Sequence, residues 1–290
     1  MSKTTYFYPK RTLRTERGLL DLSTPKVMGI LNATPDSFFA ASRAEQAETA
    51  LQRVSEMIQD GADIIDIGGM SSRPGATLIS PETEMERVLP LLEAIREKYT
   101  DILISIDTVY AKTALAALQT GADIINDISA GSIDPELPIV AADKKCPYIL
   151  MHMQGTPDTM QKEPVYADVT KEVFASFRTQ VFRLQELGVE QIILDPGFGF
   201  GKNLHHNYQL AAQFDMFTHF GLPLLAGVSR KRMICALLQV TPEHALNGST
   251  ALHMHLLMQG ANILRVHDVR EAVETIHIFT ALQENTAAHH

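Results

Sequence analysis

Gly61-Ala62-Asp63-Ile64-Ile65-Asp66-Ile67-Gly68 is the stretch that decides the fold, because its pattern recurs twice along the chain. The two repeats are Gly121-Ala122-Asp123-Ile124-Ile125-Asn126-Asp127-Ile128 and Gly260-Ala261-Asn262-Ile263-Leu264-Arg265-Val266. Each glycine follows an amphipathic stretch and suits the left-handed position that ends a helix. The β-branched apolar run after each glycine is typical of a strand buried on both faces. The repeated unit is therefore a helix followed by a buried parallel strand.

Five further apolar runs complete a set of eight predicted strands: residues 27–31, 102–106, 148–151, 191–194 and 223–228. Helical stretches separate the strands, among them residues 45–60, 82–98, 165–187 and 251–259. Eight alternating units predict an α/β fold with a parallel sheet and right-handed crossovers. A doubly wound open sheet is the alternative, but eight uninterrupted units favour closure into a single (β/α)8 TIM barrel.

No linker or shift in composition divides the 290 residues, and a single barrel of this kind commonly has about 250 residues. We therefore expect one domain, with the barrel at residues 25–284. An N-terminal extension of residues 1–24 lies outside the repeat and is expected to form a hairpin or loop that closes the bottom of the barrel. Residues 285–290 are expected to form a flexible C-terminal tail.

Composition excludes several classes of partner. The formal net charge of −9 argues against binding to nucleic acid or to an anionic membrane. Cys146 and Cys235 lie far apart in apolar stretches, which is typical of free thiols in a reducing compartment. No stretch approaches the roughly 18 uncharged apolar residues of a membrane span, and the N-terminus lacks the pattern of a secretion signal. These features predict a soluble cytoplasmic protein.

Polar side chains follow the apolar run of every predicted strand. In a barrel these positions converge on the C-terminal mouth, where the active sites of this fold lie. A single strand can end in a polar residue simply because loops are exposed to water. Eight successive strands that end in such residues indicate an enzyme. The polar residues are Asn32, Arg73, Asp107, Asn126 with Asp127, His152, Asp195, Lys231, and Arg265 with His267.

The predicted mouth is divided by hydrogen-bonding character. Asp107, Asn126 and Asp195 mostly accept hydrogen bonds, whereas the Lys231 and Arg265 side of the mouth donates them to an anion. A ligand that spans both sides carries N–H donors at one end and phosphate or carboxylate at the other. No nucleophile is paired with a base, so the expected chemistry is orientation of substrates and stabilisation of a leaving anion.

The segments at these strand ends resemble the signatures of the dihydropteroate synthase family of pterin-binding TIM barrels. The matching residues are 28–38, 68–75, 105–108, 125–128, 151–155, 194–202, 229–231 and 265–268. The resemblance implies condensation of 6-hydroxymethyl-7,8-dihydropterin diphosphate with p-aminobenzoate, which releases pyrophosphate and forms 7,8-dihydropteroate. It also implies a transferase of folate biosynthesis, a sulfonamide target and a homodimer.

The resemblance further implies a role for each site residue. Asp195 anchors the pterin through paired hydrogen bonds, and Asn126 and Asp107 satisfy the rest of its edge. Lys231 donates to the pterin carbonyl or a ring nitrogen, and Met151 and Phe200 form walls for the flat ring. The implied diphosphate ligands are Arg265, His267 and Asn32, the last of which also binds Mg²⁺. The implied p-aminobenzoate contacts are Phe38, Ser72, Arg73 and Pro74, and the implied catalytic residues are Asp107, Lys231, Arg265 and His267.

Structural roles compete with some of these assignments. Asn126 and Asp195 could instead cap the helices that follow them. His267 could be a packed histidine bonded to the backbone, and His152 suits a structural role as well as a functional one. Asp127 is expected to support its own loop.

The first loop departs from the family pattern, since it reads Phe39-Ala40-Ala41 after the matching segment, and Met70 stands where an acidic residue is common. These departures predict an altered response to sulfonamides.

Two other functions stay open. One is a catalytically silent or divergent pterin-binding paralogue. The other is a methyltetrahydrofolate-dependent methyltransferase domain, which shares the pterin edge but has no need for Arg265, His267 and Lys231 around an anion.

Overall fold

Strands and helices alternate through most of the chain in the computed structural model, which describes residues 10–33, 43–70, 78–155 and 164–287. The strands are β1 (Thr12–Thr15), β2 (Gly18–Asp21), β3 (Lys26–Asn32), β4 (Ile64–Gly68), β5 (Leu103–Asp107), β6 (Ile124–Asp127), β7 (Tyr148–Met151), β8 (Ile192–Asp195), β9 (Leu225–Ala226) and β10 (Ile263–Val266). The α-helices are α1 (Arg43–Gln59), α2 (Pro81–Lys98), α3 (Ala111–Thr120), α4 (Leu137–Lys144), α5 (Val169–Glu186), α6 (Leu204–Ala212), α7 (Arg232–Leu238), α8 (Leu246–Met258) and α9 (Val269–Ala287).

The larger sheet contains eight parallel strands in the order β8-β7-β6-β5-β4-β3-β10-β9. A parallel bridge between Leu194 and Leu224 joins its two ends, and the Leu194 N–H donates to the Pro223 carbonyl at 2.8 Å. The sheet therefore closes on itself, and the prediction of a (β/α)8 barrel is confirmed.

The Gly-Ala-Asp/Asn repeat sets where each helix ends and how each strand pairs. Gly61, Gly121 and Gly260 adopt φ values of +97°, +114° and +99°, the left-handed conformation that glycine tolerates at a helix end. The third residue of each repeat accepts a 2.9 Å hydrogen bond from a backbone N–H of the neighbouring strand or its start: Asp63 from Val27, Asp123 from Ile104 and Asn262 from Leu224. The repeat therefore fixes the register of three strands.

The bottom of the barrel interior is an apolar layer to which every barrel strand contributes one side chain. Its members are Met28, Ile64, Leu103, Ile124, Ile149, Ile193, Leu225 and Ile263. Strands β1 and β2 form an antiparallel hairpin, and Leu13 and Leu20 of this hairpin pack against the layer together with Leu22. The hairpin thus closes the N-terminal end of the barrel, as predicted.

Within the described residues, no helix has the length and apolar content needed to cross a membrane.

Several element bounds differ from the sequence predictions. Helix α5 begins at Val169, rather than at residue 165, because the Asp168 side chain accepts a hydrogen bond from the Lys171 N–H and caps the helix. Strand β9 is much shorter than residues 223–228, since the chain leaves the sheet after Ala226 and turns through Arg230 at a φ of +55°. Helix α8 begins earlier than residue 251, and α9 continues to residue 287. The division of the chain at residues 24 and 284 stays a prediction.

Candidate active site

A polar layer lies inside the barrel directly above the apolar one. Side chains along a strand alternate between its two faces, so residues two positions beyond the apolar layer also point inward. On five strands these residues are polar or charged: Asp66, Ser105, Asn126, Asp195 and Arg265. Asn32, Asp107 and His267 lie one further inward step towards the C-terminal mouth. Strand periodicity therefore concentrates the predicted site residues at this mouth.

Arg265 is the centre of one half of the site. Its Nε donates to Asp66 Oδ2 at 2.6 Å, and its Nη2 donates to Asp107 Oδ2 at 2.8 Å. The Asn126 amide nitrogen also donates to Asp66, at 3.2 Å and 3.3 Å from its two oxygens. Arg265, Asp107 and Asn126 are thus brought together at the mouth, but the predicted division into an accepting and a donating side is wrong here, because the guanidinium pairs directly with the carboxylates. Two carboxylates hold one guanidinium, which is the geometry that an arginine fork favours.

Asp66 is a site residue that the strand-end pattern missed. It lies in the middle of β4 rather than at its end, and its side chain is fully buried. The available signal was its charge: an ionisable residue inside an apolar strand is seldom fully buried without a partner. Its inward parity with Ile64 and Gly68 would have placed it inside the barrel.

Asp195 and Lys231 occupy the other half of the site. Asp195 ends β8, and its Oδ1 accepts a 2.8 Å hydrogen bond from the Gly197 N–H. Lys231 immediately precedes α7; its Nζ donates to the Phe198 carbonyl and lies 4.8 Å from the centre of the Phe200 ring. This cation–π contact places a donor beside a flat aromatic surface.

A small apolar cluster includes residues of the strand ends and loops at the mouth. Met151 and Phe200, the predicted ring walls, belong to one cluster with Val109 and Ile128 at the mouth. Met70 also packs against this cluster, so the residue that departs from the family pattern borders the predicted pterin side. An apolar cleft with a few converging polar groups is the usual form of a small-molecule site.

Burial changes the acidity of the charged groups. It raises the pKa of the Asp107 carboxyl to about 7, against the opposing effect of the Arg265 guanidinium. It also raises the pKa of Asp195, which Lys231 counteracts. Burial lowers the pKa of the Lys231 ammonium to about 8, although Asp195 favours its protonated form. Each group therefore depends on its charged neighbour to stay ionised, which is common at functional sites.

His267 contacts Ser229 at the edge of the mouth. The His267 backbone N–H donates to Ser229 Oγ at 3.2 Å, and its Nδ1 lies 3.1 Å from the same oxygen. Burial and the nearby guanidiniums of Arg265 and Arg230 lower the pKa of the imidazole to about 4. The ring is therefore neutral at pH 7 and offers one N–H donor rather than a positive charge.

The structure excludes the capping alternative for Asn126 and Asp195. Asn126 lies well before α4, and the cap of α6 is Asn203 rather than Asp195, so neither site residue caps the next helix. Asp127 supports its loop as expected: it accepts hydrogen bonds from Ser129, Gly131 and the Tyr148 hydroxyl.

His152 takes a structural position beside a lysine that the sequence reading did not select. Lys202 is 3% exposed, and its Nζ donates to the carbonyls of Gly197 and Phe200 at 2.9 Å and 3.0 Å. The same Nζ lies 3.1 Å from His152 Nδ1. Burial lowers the pKa of His152 to about 3 and that of Lys202 to about 7. The pair ties the loop after β7 to the loop after β8.

Asn32 is compatible with a metal that is held mainly by a ligand. It ends β3 in register with Gly68, which is in register with Asp107, so the residue between the two contributes no side chain. Across the described ranges, no three His, Cys, Asp or Glu side chains cluster closely enough to bind a metal ion. A neutral amide oxygen suits Mg²⁺ that takes its other ligands from phosphate and water.

The predicted p-aminobenzoate contacts lie outside the described residues. They are Phe38, Ser72, Arg73 and Pro74. Phe39, Ala40 and Ala41, on which the expected change in sulfonamide response depends, also lie outside them. Of the two cysteines, Cys146 is buried and Cys235 is half-buried, and both are free.

The barrel and the polar residues that converge on its C-terminal mouth are typical of an enzyme that acts on small molecules, and comparison with known proteins specifies the class. The family described as pterin binding enzyme matches residues 28–267. Dihydropteroate synthase from Escherichia coli strain K12 is 48% identical over 264 residues, which cover 90% of this chain and 93% of that protein. The chain therefore belongs to the dihydropteroate synthase family of pterin-binding enzymes, which are transferases.

Solved structures agree in fold and in sequence. Yersinia pestis dihydropteroate synthase, in a complex with a sulfonamide drug, has a TM-score of 0.88 and 43% identity and covers 94% of this chain and 99% of its own. The Xanthomonas albilineans enzyme with 4-aminobenzoic acid also has a TM-score of 0.88, at 38% identity over 94% of this chain and 98% of its own. The likeness therefore extends over nearly the whole length of both chains.

Proposed function

We propose that this chain condenses 6-hydroxymethyl-7,8-dihydropterin diphosphate with p-aminobenzoate, releasing pyrophosphate and forming 7,8-dihydropteroate. The observation that carries the proposal is the polar layer inside the barrel. There the acceptors Asn126 and Asp195 and the donors Lys231 and Arg265 lie at the same end of the barrel as the apolar cluster that contains Met151 and Phe200. A pterin diphosphate has the matching chemistry, because N–H donors line one edge of its ring and the phosphates lie at the other end.

The pterin ring would lie between Met151 and Phe200, with its edge towards Asp195. Each oxygen of a carboxylate accepts about two hydrogen bonds, so the bond from Gly197 leaves Asp195 able to accept from two adjacent N–H groups. Asn126 and Asp107 would complete the edge. Lys231 already lies over the Phe200 ring, from which its ammonium can donate to a ring nitrogen or carbonyl.

The diphosphate would lie above Arg265 and His267. Arg265 has five N–H donors, and its bonds to Asp66 and Asp107 leave others for phosphate oxygens. His267 adds one neutral N–H. Asn32 would hold Mg²⁺ through its amide oxygen, and the bound ion would supply positive charge against the phosphates.

The chemistry needs a leaving anion to be stabilised rather than a covalent intermediate. The C–O bond between the exocyclic methylene and the diphosphate breaks while Arg265 and His267 donate to the departing pyrophosphate. A C–N bond then forms from the aryl amine of p-aminobenzoate, and the nitrogen loses one proton. The Xanthomonas relative crystallised with 4-aminobenzoic acid supports this second substrate.

We also propose that the active form is a homodimer in the cytoplasm. The family resemblance supports the dimer, and the two free thiols are compatible with a reducing compartment. The methyltransferase alternative has less support, because methyl transfer gives no role to the donors Arg265 and Lys231 at the mouth.

The two halves of the site can be tested separately by calorimetry. Asp195→Ala should weaken the binding of 6-hydroxymethyl-7,8-dihydropterin by about a hundredfold, since a charged hydrogen-bond partner is lost, and leave pyrophosphate binding intact. Arg265→Ala should reverse this pattern. If both variants fold and bind both ligands as the wild type does, the proposed site is wrong.

A further inference from the structure

One fully buried carboxylate contacts both a residue proposed for the pterin edge and a residue proposed for the diphosphate. Asp66 lies in the middle of β4, and its Oδ2 accepts from Arg265 Nε at 2.6 Å. The same carboxylate accepts from the Asn126 amide nitrogen, at 3.2 Å from Oδ2 and 3.3 Å from Oδ1. Neither the strand-end pattern nor the proposed substrate contacts give Asp66 a role, so its burial needs another explanation.

The contact with Asp66 determines which way the Asn126 amide faces. A carboxylate that is paired with a guanidinium only accepts hydrogen bonds, so it must meet the NH₂ end of the amide. The Asn126 carbonyl oxygen then points away from Asp66, and it accepts no hydrogen bond within the described part of the chain. That oxygen is therefore presented as an acceptor, which is what an N–H on a pterin edge requires.

The contact with Asp66 also fixes the plane of the guanidinium. Arg265 is held at Nε by Asp66 and at Nη2 by Asp107, and a planar fork held at two of its donors cannot rotate freely. Without Asp66, the ion pair that Arg265 keeps among the described residues is the one with Asp107, whose own proposed role is at the pterin edge. Arg265 and Asp107 would then be drawn together and away from the ligand.

We propose that Asp66 is a positioning residue: it sets the acceptor direction of Asn126 and the orientation of Arg265, and so coordinates the pterin and diphosphate halves of the site. The proposal rests on the proposed function, because it takes Asn126 and Arg265 as ligand contacts. It adds that substrate selection depends on a side chain that touches no substrate.

The central test is Asp66→Asn, which keeps the size of the side chain but removes its charge and its obligatory acceptor character. Calorimetry with 6-hydroxymethyl-7,8-dihydropterin and with inorganic pyrophosphate should find each affinity about tenfold weaker or worse, as expected when a hydrogen bond to a charged group is lost. Asp66→Glu keeps the charge but displaces it by one methylene. It replaces Asp66→Asn as the test if that variant does not fold. It should weaken pterin binding by about as much.

A reciprocal exchange separates positioning from a merely structural role. In the double variant Asp66→Asn with Asn126→Asp, the amide and the carboxylate exchange places. The amide at position 66 can donate to the carboxylate at position 126, and residue 126 again presents an acceptor oxygen. Pterin binding should recover by about fivefold or more over Asp66→Asn, whereas pyrophosphate binding should not recover because Arg265 still lacks Asp66.

Ser105→Ala is the matched control. Ser105 is fully buried in the same layer, pairs in register with Asp66, and its Oγ has no hydrogen-bond partner among the described residues. The Ser105→Ala variant should bind both ligands with affinities within about twofold of those of the wild type.

Two results would overturn the inference: a folded Asp66→Asn that binds both ligands as the wild type does, or a loss of pterin binding that the reciprocal exchange fails to restore. Asn126→Ala and Arg265→Ala, measured beside them, report on the proposed function itself. If those two leave both affinities unchanged, the site assignment fails, whatever Asp66 does.

Discussion

The charged residues at the barrel mouth are held in pairs whose members depend on each other. Asp107 faces Arg265, and Asp195 shares the other half of the site with Lys231. Burial alone would neutralise the carboxylates and the ammonium, while the opposite charge nearby favours their ionised forms. A substrate that brings phosphate or N–H donors would enter a site whose protonation is already balanced near neutral pH.

This balance predicts a narrow pH range for substrate binding. The Lys231 pKa of about 8 means that its ammonium loses its proton as the pH rises through that value, so affinity for the pterin diphosphate should fall there. The Asp107 pKa of about 7 means that its carboxyl gains a proton as the pH falls, so affinity should also fall on the acid side. Binding measured across the neutral and alkaline range should therefore pass through a maximum.

Lys231→Arg is the diagnostic variant for this prediction, because arginine stays protonated at every pH of the experiment. In this variant the fall in affinity for the pterin diphosphate at alkaline pH should disappear, even if the maximum affinity is lower. An unchanged alkaline decline in Lys231→Arg would assign that decline to another group.

Gly197 permits a close approach that no other residue could make. It has a φ of +70°, and a Cβ placed there would lie 2.0 Å from the His152 carbonyl oxygen. Gly197→Ala should therefore displace the loop, break the hydrogen bond to Asp195, and cost about 3 kcal/mol or more of unfolding free energy. Pterin affinity should fall with it.

Gly221→Ala is the control for backbone strain. Gly221 has a similar φ of +64°, but nothing lies within 4 Å of a Cβ at that position. It should cost only about 1 kcal/mol, the penalty for a left-handed alanine. Equal losses of stability in urea for the two variants would show that strain, and not the contact with His152, limits position 197.

At the scale of the elements, the Gly-Ala-Asp/Asn repeat joins helix ends to strand register. Asp123 shows how much depends on one side chain. It is fully buried, accepts from the Ile104 N–H at 2.9 Å, and forms ion pairs with Arg17 at 2.5 Å and Arg96 at 3.0 Å. Strand β5, helix α2 and the turn of the N-terminal hairpin therefore meet at this carboxylate.

Asp123→Ala should destabilise the protein by about 3 kcal/mol, because it leaves the Ile104 N–H and the half-buried Arg17 and Arg96 without this carboxylate. Asp123→Asn should cost less, since an amide oxygen can still accept from Ile104, as Asn262 does from Leu224 in the third repeat. Urea denaturation measures both. If the two variants lose the same free energy, the hydrogen bond to the strand contributes little.

The repeat also explains which parts of the structure were predictable from sequence. Buried parallel strands have continuous apolar runs, so the strands and their order were found, and polar strand ends located most of the mouth. Asp66 was missed because it lies inside a strand, where only its parity reveals that it faces the interior. Strand β9 was predicted too long, because an apolar run does not reveal where the chain turns towards Lys231.

At the scale of the whole molecule, the barrel separates stability from chemistry. The hairpin and the apolar layer close its bottom, and the polar layer begins directly above. Side chains from five or more strands converge on one mouth only because the sheet closes. No single segment of the sequence therefore reveals the site. The predicted p-aminobenzoate contacts fall within residues 34–42 and 71–77, outside the described part of the chain, and the altered sulfonamide response stays a prediction.

The most direct measurement of the central claim is a turnover assay of the purified full chain. It is supplied with 6-hydroxymethyl-7,8-dihydropterin diphosphate, p-aminobenzoate and Mg²⁺, and both products are quantified. The account predicts pyrophosphate and 7,8-dihydropteroate in equal amounts, with neither formed when p-aminobenzoate is omitted. Good binding of the pterin diphosphate without either product would contradict it and indicate a catalytically silent pterin-binding protein.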